Sequence, residues 1–237
     1  MIRLALQSIH EGNHQIFGHE VLARKLLDDG RVSPPGVFMA GASGGEWHEL
    51  DLLIYQLVLQ SPVLTKDPWP LFINISPETL KVDSYFRRAV ELLRAIVKSR
   101  QAPTVIEISE ESELAGQSLD RRLKTIKSNG ALVAMDDFGV GFSDLARLVG
   151  HEWAFCKIDI SSIKNSDDFE LLVDAKGYCD SRNIGVVIER YETKDHKFLN
   201  HPFLKSLYQG YAFSKPLLVS EVAFLSQRLV CSGLINE

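Results

Sequence analysis

ALVAMDDFGVGF, residues 131–142, carries an unbroken apolar run into two adjacent aspartates and then a glycine-punctuated turn. An apolar run without alternation is the pattern of a strand covered on both faces, as in parallel sheets flanked by helices. Asp136 and Asp137 then stand at its carboxyl end. Taken alone, the pair also suits a turn and a helix N-cap, because FGVGFSDLARL opens a helical pattern.

The neighbouring sequence repeats this plan. Upstream, PLFINIS (70–76) and TVIEISE (104–110) read as strands. SYFRRAVELLRAIVKSR (84–100) reads as a helix with Tyr85, Ala89, Leu92, Leu93 and Ile96 on one face, and residues 113–130 as another that stops at Gly130. Downstream, AFCKIDIS (154–161), IGVVIERYE (184–192) and SLYQGYAF (206–213) are strand-like. Helical patterns lie at 167–183, 193–201 and 220–230. At the start, RLALQSIHE and QIFGHEVLARKLL read as strands joined by the turn EGNH, and GEWHELDLLIYQLVLQ (45–60) as a buried helix. Residues 29–45, rich in Pro, Gly and Ser, read as a loop. Seven or eight strands, mostly followed by helices, imply a parallel sheet, open or closed. The 237 residues match a (β/α)8 barrel, for which about 250 is typical, and no domain boundary is visible. The expectation is one domain over 1–237.

Bulk composition narrows the function. The net charge is −5, so no global basic field recruits DNA or RNA. No apolar run approaches the roughly 18 residues of a membrane span, and the N-terminus lacks a signal peptide pattern. A cytoplasmic protein is expected. Cys156, Cys179 and Cys231 stand far apart and read as small buried residues. The seven histidines show no zinc spacing, and no P-loop or dinucleotide-binding glycine motif occurs.

Chemistry in such a barrel sits at the carboxyl ends of the strands. The polar residues embedded in the apolar runs are Glu20, Asn74, Glu107, Asp136 with Asp137, Lys157 with Asp159, Glu189 with Glu192, and Gln209. Each alone has a bland reading as a turn former, strand-edge ion pair or solvated side chain. A ring of them from separate strands calls for a cation, since clustered carboxylates raise one another's pKa. All-oxygen ligands select Mg2+ or Mn2+, sometimes Ca2+. Two such ions about 3.5–4 Å apart suit phosphodiester cleavage, with Lys157 balancing charge on the phosphate or orienting the attacking water.

The ordered motifs Glu20-Val21-Leu22-Ala23-Arg24, FINIS (72–76), IEISE (106–110), DDFGVGFSDL (136–145), KIDIS (157–161), IERYET (188–193) and QGYAFSKPL (209–217) resemble the EAL domain, the bacterial cyclic-di-GMP phosphodiesterase. The resemblance runs from about residue 3 to 230. It implies a TIM-like (β/α)8 barrel with one antiparallel strand, two Mg2+ or Mn2+ ions, and hydrolysis of cyclic-di-GMP to linear pGpG. It implies that Glu20, Asn74, Glu107 and Asp136 hold one metal and Asp136, Asp137 and Glu189 the other. Lys157 would position the attacking water, Glu192 and Gln209 complete the site, and Glu110 tie down the loop after Asp137. Leu22 and Arg24 would touch the substrate. A homodimer through residues 139–151 is a further implication. The chain departs from the family pattern at Val21 for Ala, Val140 for Thr, Asp144 for Ser, and Arg190-Tyr191 for Gly-Val. The changes at Val140, Asp144, Arg190 and Tyr191 keep open a nucleotide receptor that does not cut; a third reading is a protein-interaction regulator, against which the filled acidic ring argues.

Overall fold

The computed structural model describes residues 1–109, 112–139, 144–162, 166–192, 203 and 205–220. Its strands are β1 (Ile2–Glu11), β2 (Ile16–Leu26), β3 (Val32–Ser33), β4 (Leu71–Ile75), β5 (Thr104–Ser109), β6 (Leu132–Phe138), β7 (Phe155–Asp159), β8 (Gly185–Glu189), β9 (Leu207–Tyr208) and β10 (Leu217–Leu218). The order β10-β1-β9-β8-β7-β6-β5-β4-β2-β3, with β1 also pairing β2, closes β1, β2 and β4–β9 into an eight-stranded barrel. Neighbours from β2 through β4 to β9 are parallel. Strand β1 runs antiparallel to both β2 and β9. It is the reversed strand of the expected barrel, and the tight turn after Glu11 makes it so, since a short hairpin joins only antiparallel strands.

Period-two alternation sorts side chains into two cores. Val21, Ile73, Ile106, Val133, Cys156 and Ile188 face outward into the main core beneath the helices. Ile9, Phe72, Val105, Ala134 and Val187 face inward and plug the barrel, with Phe17 and Phe155 packed against them. The plug matters for the site, because the inward residues two positions further along are polar. Asn74 follows Phe72, Glu107 follows Val105, Asp136 follows Ala134, Lys157 follows Phe155 and Glu189 follows Val187. The polar layer therefore lies about 6.6 Å nearer the strands' carboxyl ends, over a dry floor.

Helix Gly44–Gln60 starts at Ser43, which forms a capping box with Glu46, and it buries Leu50, Leu52, Ile54, Tyr55 and Val58 as the apolar sequence implies. Helices Asp83–Ser99, Gly116–Ser128 and Ser166–Ser181 fall where the periodicity puts them. Some boundaries differ. Residues 29–45 are not simply a loop: Val32–Ser33 pairs with Lys25 and Leu26, and the Pro34-Pro35 step starts the short helix Pro35–Phe38 with proline at its first turn. The strand expected over 206–213 ends at Tyr208, and the one over 184–192 ends at Glu189. Cys156 and Cys179 are buried, as expected. Cys231, the helical pattern at 193–201 and all but Ser220 of the one at 220–230 lie outside the described residues.

Candidate metal centre

Lys157 organises the polar layer. It is 1 % exposed, and its Nζ lies 2.6 Å from Glu107 Oε1, 2.9 Å from Glu189 Oε1, 3.2 Å from Asp136 Oδ1 and 3.4 Å from Glu20 Oε2. Asn74 Nδ2 donates to Glu20 Oε1 at 3.1 Å and to Glu107 Oε2 at 3.0 Å. Gln209 Nε2 donates to Glu20 Oε2 at 2.5 Å and to Gln7 Oε1 at 3.3 Å. Four strands thus bring carboxylates onto one ammonium, and Asn74 bridges two of them.

The paired aspartates need more than a strand, because neighbours on a strand point to opposite faces. The β6–β7 register supplies the difference. Met135 pairs with Cys156 and Phe138 with Ile158, so β6 carries one extra residue there. Asp137 takes a left-handed conformation, φ 58°, at this bulge. A bulge of this kind re-aims a side chain. Carboxylate oxygens of Asp136, Asp137 and Glu189 come within 4.8 Å of one another.

One buried cation cannot balance these acids. Burial and Glu20 push the Glu107 carboxyl well above its usual range. Burial, with Asp136 and Glu20 adding to it, does the same to Glu189 against the pull of Lys157. Burial and adjacent Asp136 push Asp137 up to about 6. Burial also disfavours charge on Glu20, but Lys157, Gln209 and Asn74 outweigh it and hold that carboxyl low. Burial alone would lower Lys157, yet Asp136, Glu107, Glu189 and Glu20 keep it firmly protonated. Glu107 Oε1 and Asp136 Oδ1 are buried without a hydrogen bond of good geometry, their contacts being charge–charge with Nζ. Hard oxygen donors in this electrostatic state fit a divalent cation.

Around the ring, Leu22 and Arg24 line two adjoining cavities. One, of about 360 Å3, is walled by Pro35, Trp47 and Ile54 and includes Asp51 and Asn74. The other, of about 460 Å3, opens over Glu20, Glu189 and Gln209. Glu192 is exposed and lines this mouth. Glu110 and Val140 lie outside the described residues. Sequence reasoning left Gln7 and Asp51 out of the site, and it placed Asp159 in the ring without giving it a role. Asp159 was legible, since it shares a strand face with Lys157 two residues before it. Asp51, inside an apolar helix, gave no signal beyond its own oddity. Among the described histidines, His19 meets Asp67 at 2.8 Å and His151 meets Asp120 at 2.7 Å.

Fold and site define a parallel barrel that gathers acidic ligands at its carboxyl-end mouth. The chain belongs to the EAL domain family, whose profile matches residues 1–216. It is 26 % identical over 206 residues to "Probable cyclic di-GMP phosphodiesterase PdeA" of Escherichia coli (strain K12), covering 83 % of this chain and 28 % of that protein. It is 28 % identical over 211 residues to "Probable cyclic di-GMP phosphodiesterase PdeG" of the same organism, covering 84 % and 41 %. The chain thus spans less than half the length of either relative. Among solved structures it is similar to the Bacillus subtilis YkuI protein, which has an EAL domain in complex with cyclic-di-GMP and calcium. The TM-score is 0.75 at 21 % identity, over 91 % of this chain and 54 % of that one, a likeness of fold.

Proposed function

We propose that this chain hydrolyses cyclic-di-GMP to linear pGpG with two divalent cations, Mg2+ or Mn2+. The observation that carries the reading is the convergence of Glu20, Asn74, Glu107, Asp136, Asp137 and Glu189 on one mouth, with Asp136, Asp137 and Glu189 within ligand-sharing distance. Glu20, Asn74, Glu107 and Asp136 would hold one cation and Asp136, Asp137 and Glu189 the other. When bound, the cations supply electrostatic stabilisation of the phosphate and a more acidic water.

The remaining work falls to this chain's side chains. Lys157, which balances the ring in the arrangement described here, orients the attacking water. The water oxygen bonds to phosphorus and gives a proton to a neighbouring carboxylate, the bond to the 3′ oxygen breaks, and that oxygen takes up a proton. Asp137 and Glu189, with Glu192 at the rim, lie where protons can be passed. Arg24 and Leu22 bracket the mouth, and the guanidinium of Arg24 suits a phosphate. The 360 Å3 cavity suits a guanine: Trp47 offers an aromatic face, and the Asp51 carboxylate an acceptor for the purine N1–H and N2–H.

Incubating the chain with cyclic-di-GMP and Mg2+ or Mn2+, then separating products by chromatography, tests the proposal. Cation-dependent pGpG is expected. Tight nucleotide binding without product would favour a receptor instead, a reading supported by the ion pair that Arg190 makes with Asp159 beside the ring. A protein-interaction role would need nucleotide binding to be absent. We place the domain in the cytoplasm, and among the described residues no helix is long and apolar enough to cross a membrane. Residues 139–151, which include the helix Asp144–Gly150 and exposed Val149, are the surface we assign to a homodimer, checked by sedimentation.

A further inference from the structure

Where β8 ends, Arg190 adopts φ 54°, a left-handed conformation that crowds a side chain's Cβ against the following carbonyl oxygen. The guanidinium reaches the end of β7. Nε lies 3.0 Å from Asp159 Oδ2, and Nη1 donates to Ser161 Oγ at 3.2 Å. Asp159 is the register partner of Glu189 and is only 2 % exposed, whereas the Arg190 side chain is 67 % exposed at the mouth. Asp159 therefore stands beside the Asp136–Asp137–Glu189 cluster, and its charge acts on Asp137 against that of Arg190. A fixed cation so placed does two things. It engages one oxygen of a carboxylate that would otherwise strengthen the cluster's negative field, and it repels a dication approaching from the mouth.

We propose that Arg190 is a tethered counter-ion that weakens the cation site formed by Asp136, Asp137 and Glu189, so that this chain has one tight and one weak divalent site. This rests on reading the acidic ring as a divalent-cation centre. The test is a Mn2+ titration of the whole chain without nucleotide, counting free Mn2+ by electron paramagnetic resonance. Wild type, Arg190→Gln and Arg190→Gly are compared. In wild type the second site is expected at least tenfold weaker than the first. Both variants are expected to tighten it about tenfold and leave the first unchanged. Matching isotherms in all three would overturn the inference and leave the cation centre standing. Tightening in Arg190→Gly alone would also overturn it, because glutamine removes the charge but keeps the crowded backbone. No Mn2+ bound by any of the three would remove the cation centre and the inference together.

Discussion

Asp51 is 4 % exposed, and both of its bonds from Ser76, the amide at 2.9 Å and the hydroxyl at 2.6 Å, land on Oδ2. Burial pushes its carboxyl from 3.8 up to about 6, against those hydrogen bonds. The folded chain then binds more protons than the unfolded one between pH 3.8 and 6. Stability falls as pH rises through that window, and the full penalty, about 3 kcal/mol at most, stands above pH 6. Asp51→Asn keeps an oxygen for both Ser76 donors and removes the charge. We expect it to stabilise the chain by about 1–3 kcal/mol at pH 8, raising the melting temperature by several degrees, with no gain at pH 4. Melts at the two pH values check this, and an equal shift at both would exclude the charge as its cause. The same variant should bind cyclic-di-GMP about tenfold more weakly, because an amide presents a donor where the guanine edge needs an acceptor. The ring carboxylates behave differently. Glu20→Ala removes the shorter of the two bonds from Gln209 Nε2 and one bond of Asn74, and Asp136→Asn removes the carboxylate common to both proposed cation sites. Either should lower turnover by about a hundredfold to a thousandfold, as loss of a main electrostatic contact does. Retained Mg2+-dependent product formation in either would refute the site assignment.

At the scale of elements, the period of two made most of the barrel readable. Phe72 before Asn74 and Val105 before Glu107 show the same inward face passing from apolar to polar, and the sequence displays that directly. The bulge was not readable. Adjacent aspartates on a regular strand would face opposite ways, and only the extra residue between Met135 and Phe138 reveals that both serve one cluster. The over-long last strand has a similar cause. Gly210 lies so close to Tyr191 that a Cβ built there would sit 2.1 Å from the Tyr191 carbonyl oxygen. Pairing continues past β9 through Tyr191 N–H to Gln209 O at 3.0 Å and Ala212 N–H to Tyr191 O at 3.2 Å, then the chain turns away. This seam fixes Gln209 against Glu20. Gly210→Ala is therefore expected to destabilise the chain by at least about 2 kcal/mol and to lower turnover more than stability alone explains. Chemical denaturation and initial rates on the folded fraction separate the effects. An alanine variant with unchanged midpoint and rate would mean the seam is looser than the geometry requires.

Over the whole molecule, the reversed strand β1 closes the sheet, so the acidic ring sits on a continuous hydrogen-bonded cylinder rather than on loops. Closure could not be read from strand runs alone, which suit an open or a closed parallel sheet equally; the family motifs implied it, and the β1–β2 and β1–β9 pairings make it. Carboxylates drawn from β2, β5, β6 and β8 couple the ring to the entire fold. Their mutual repulsion, offset only in part by Lys157, opposes folding. A cation that binds the folded ring and not the unfolded chain must then stabilise the molecule as a whole, by about 2.7 kcal/mol at a hundredfold excess over its dissociation constant. For 237 residues that corresponds to a melting temperature raised by about 5–10 °C, reversed by chelator. Asp136→Asn lacks a carboxylate that both proposed sites share, so it should start more stable without cation and gain much less from it. Scanning calorimetry of both proteins with and without Mn2+ measures this directly. Equal gains in the two would show that the bound cation lies elsewhere, and no gain in wild type would take the hydrolytic reading with it.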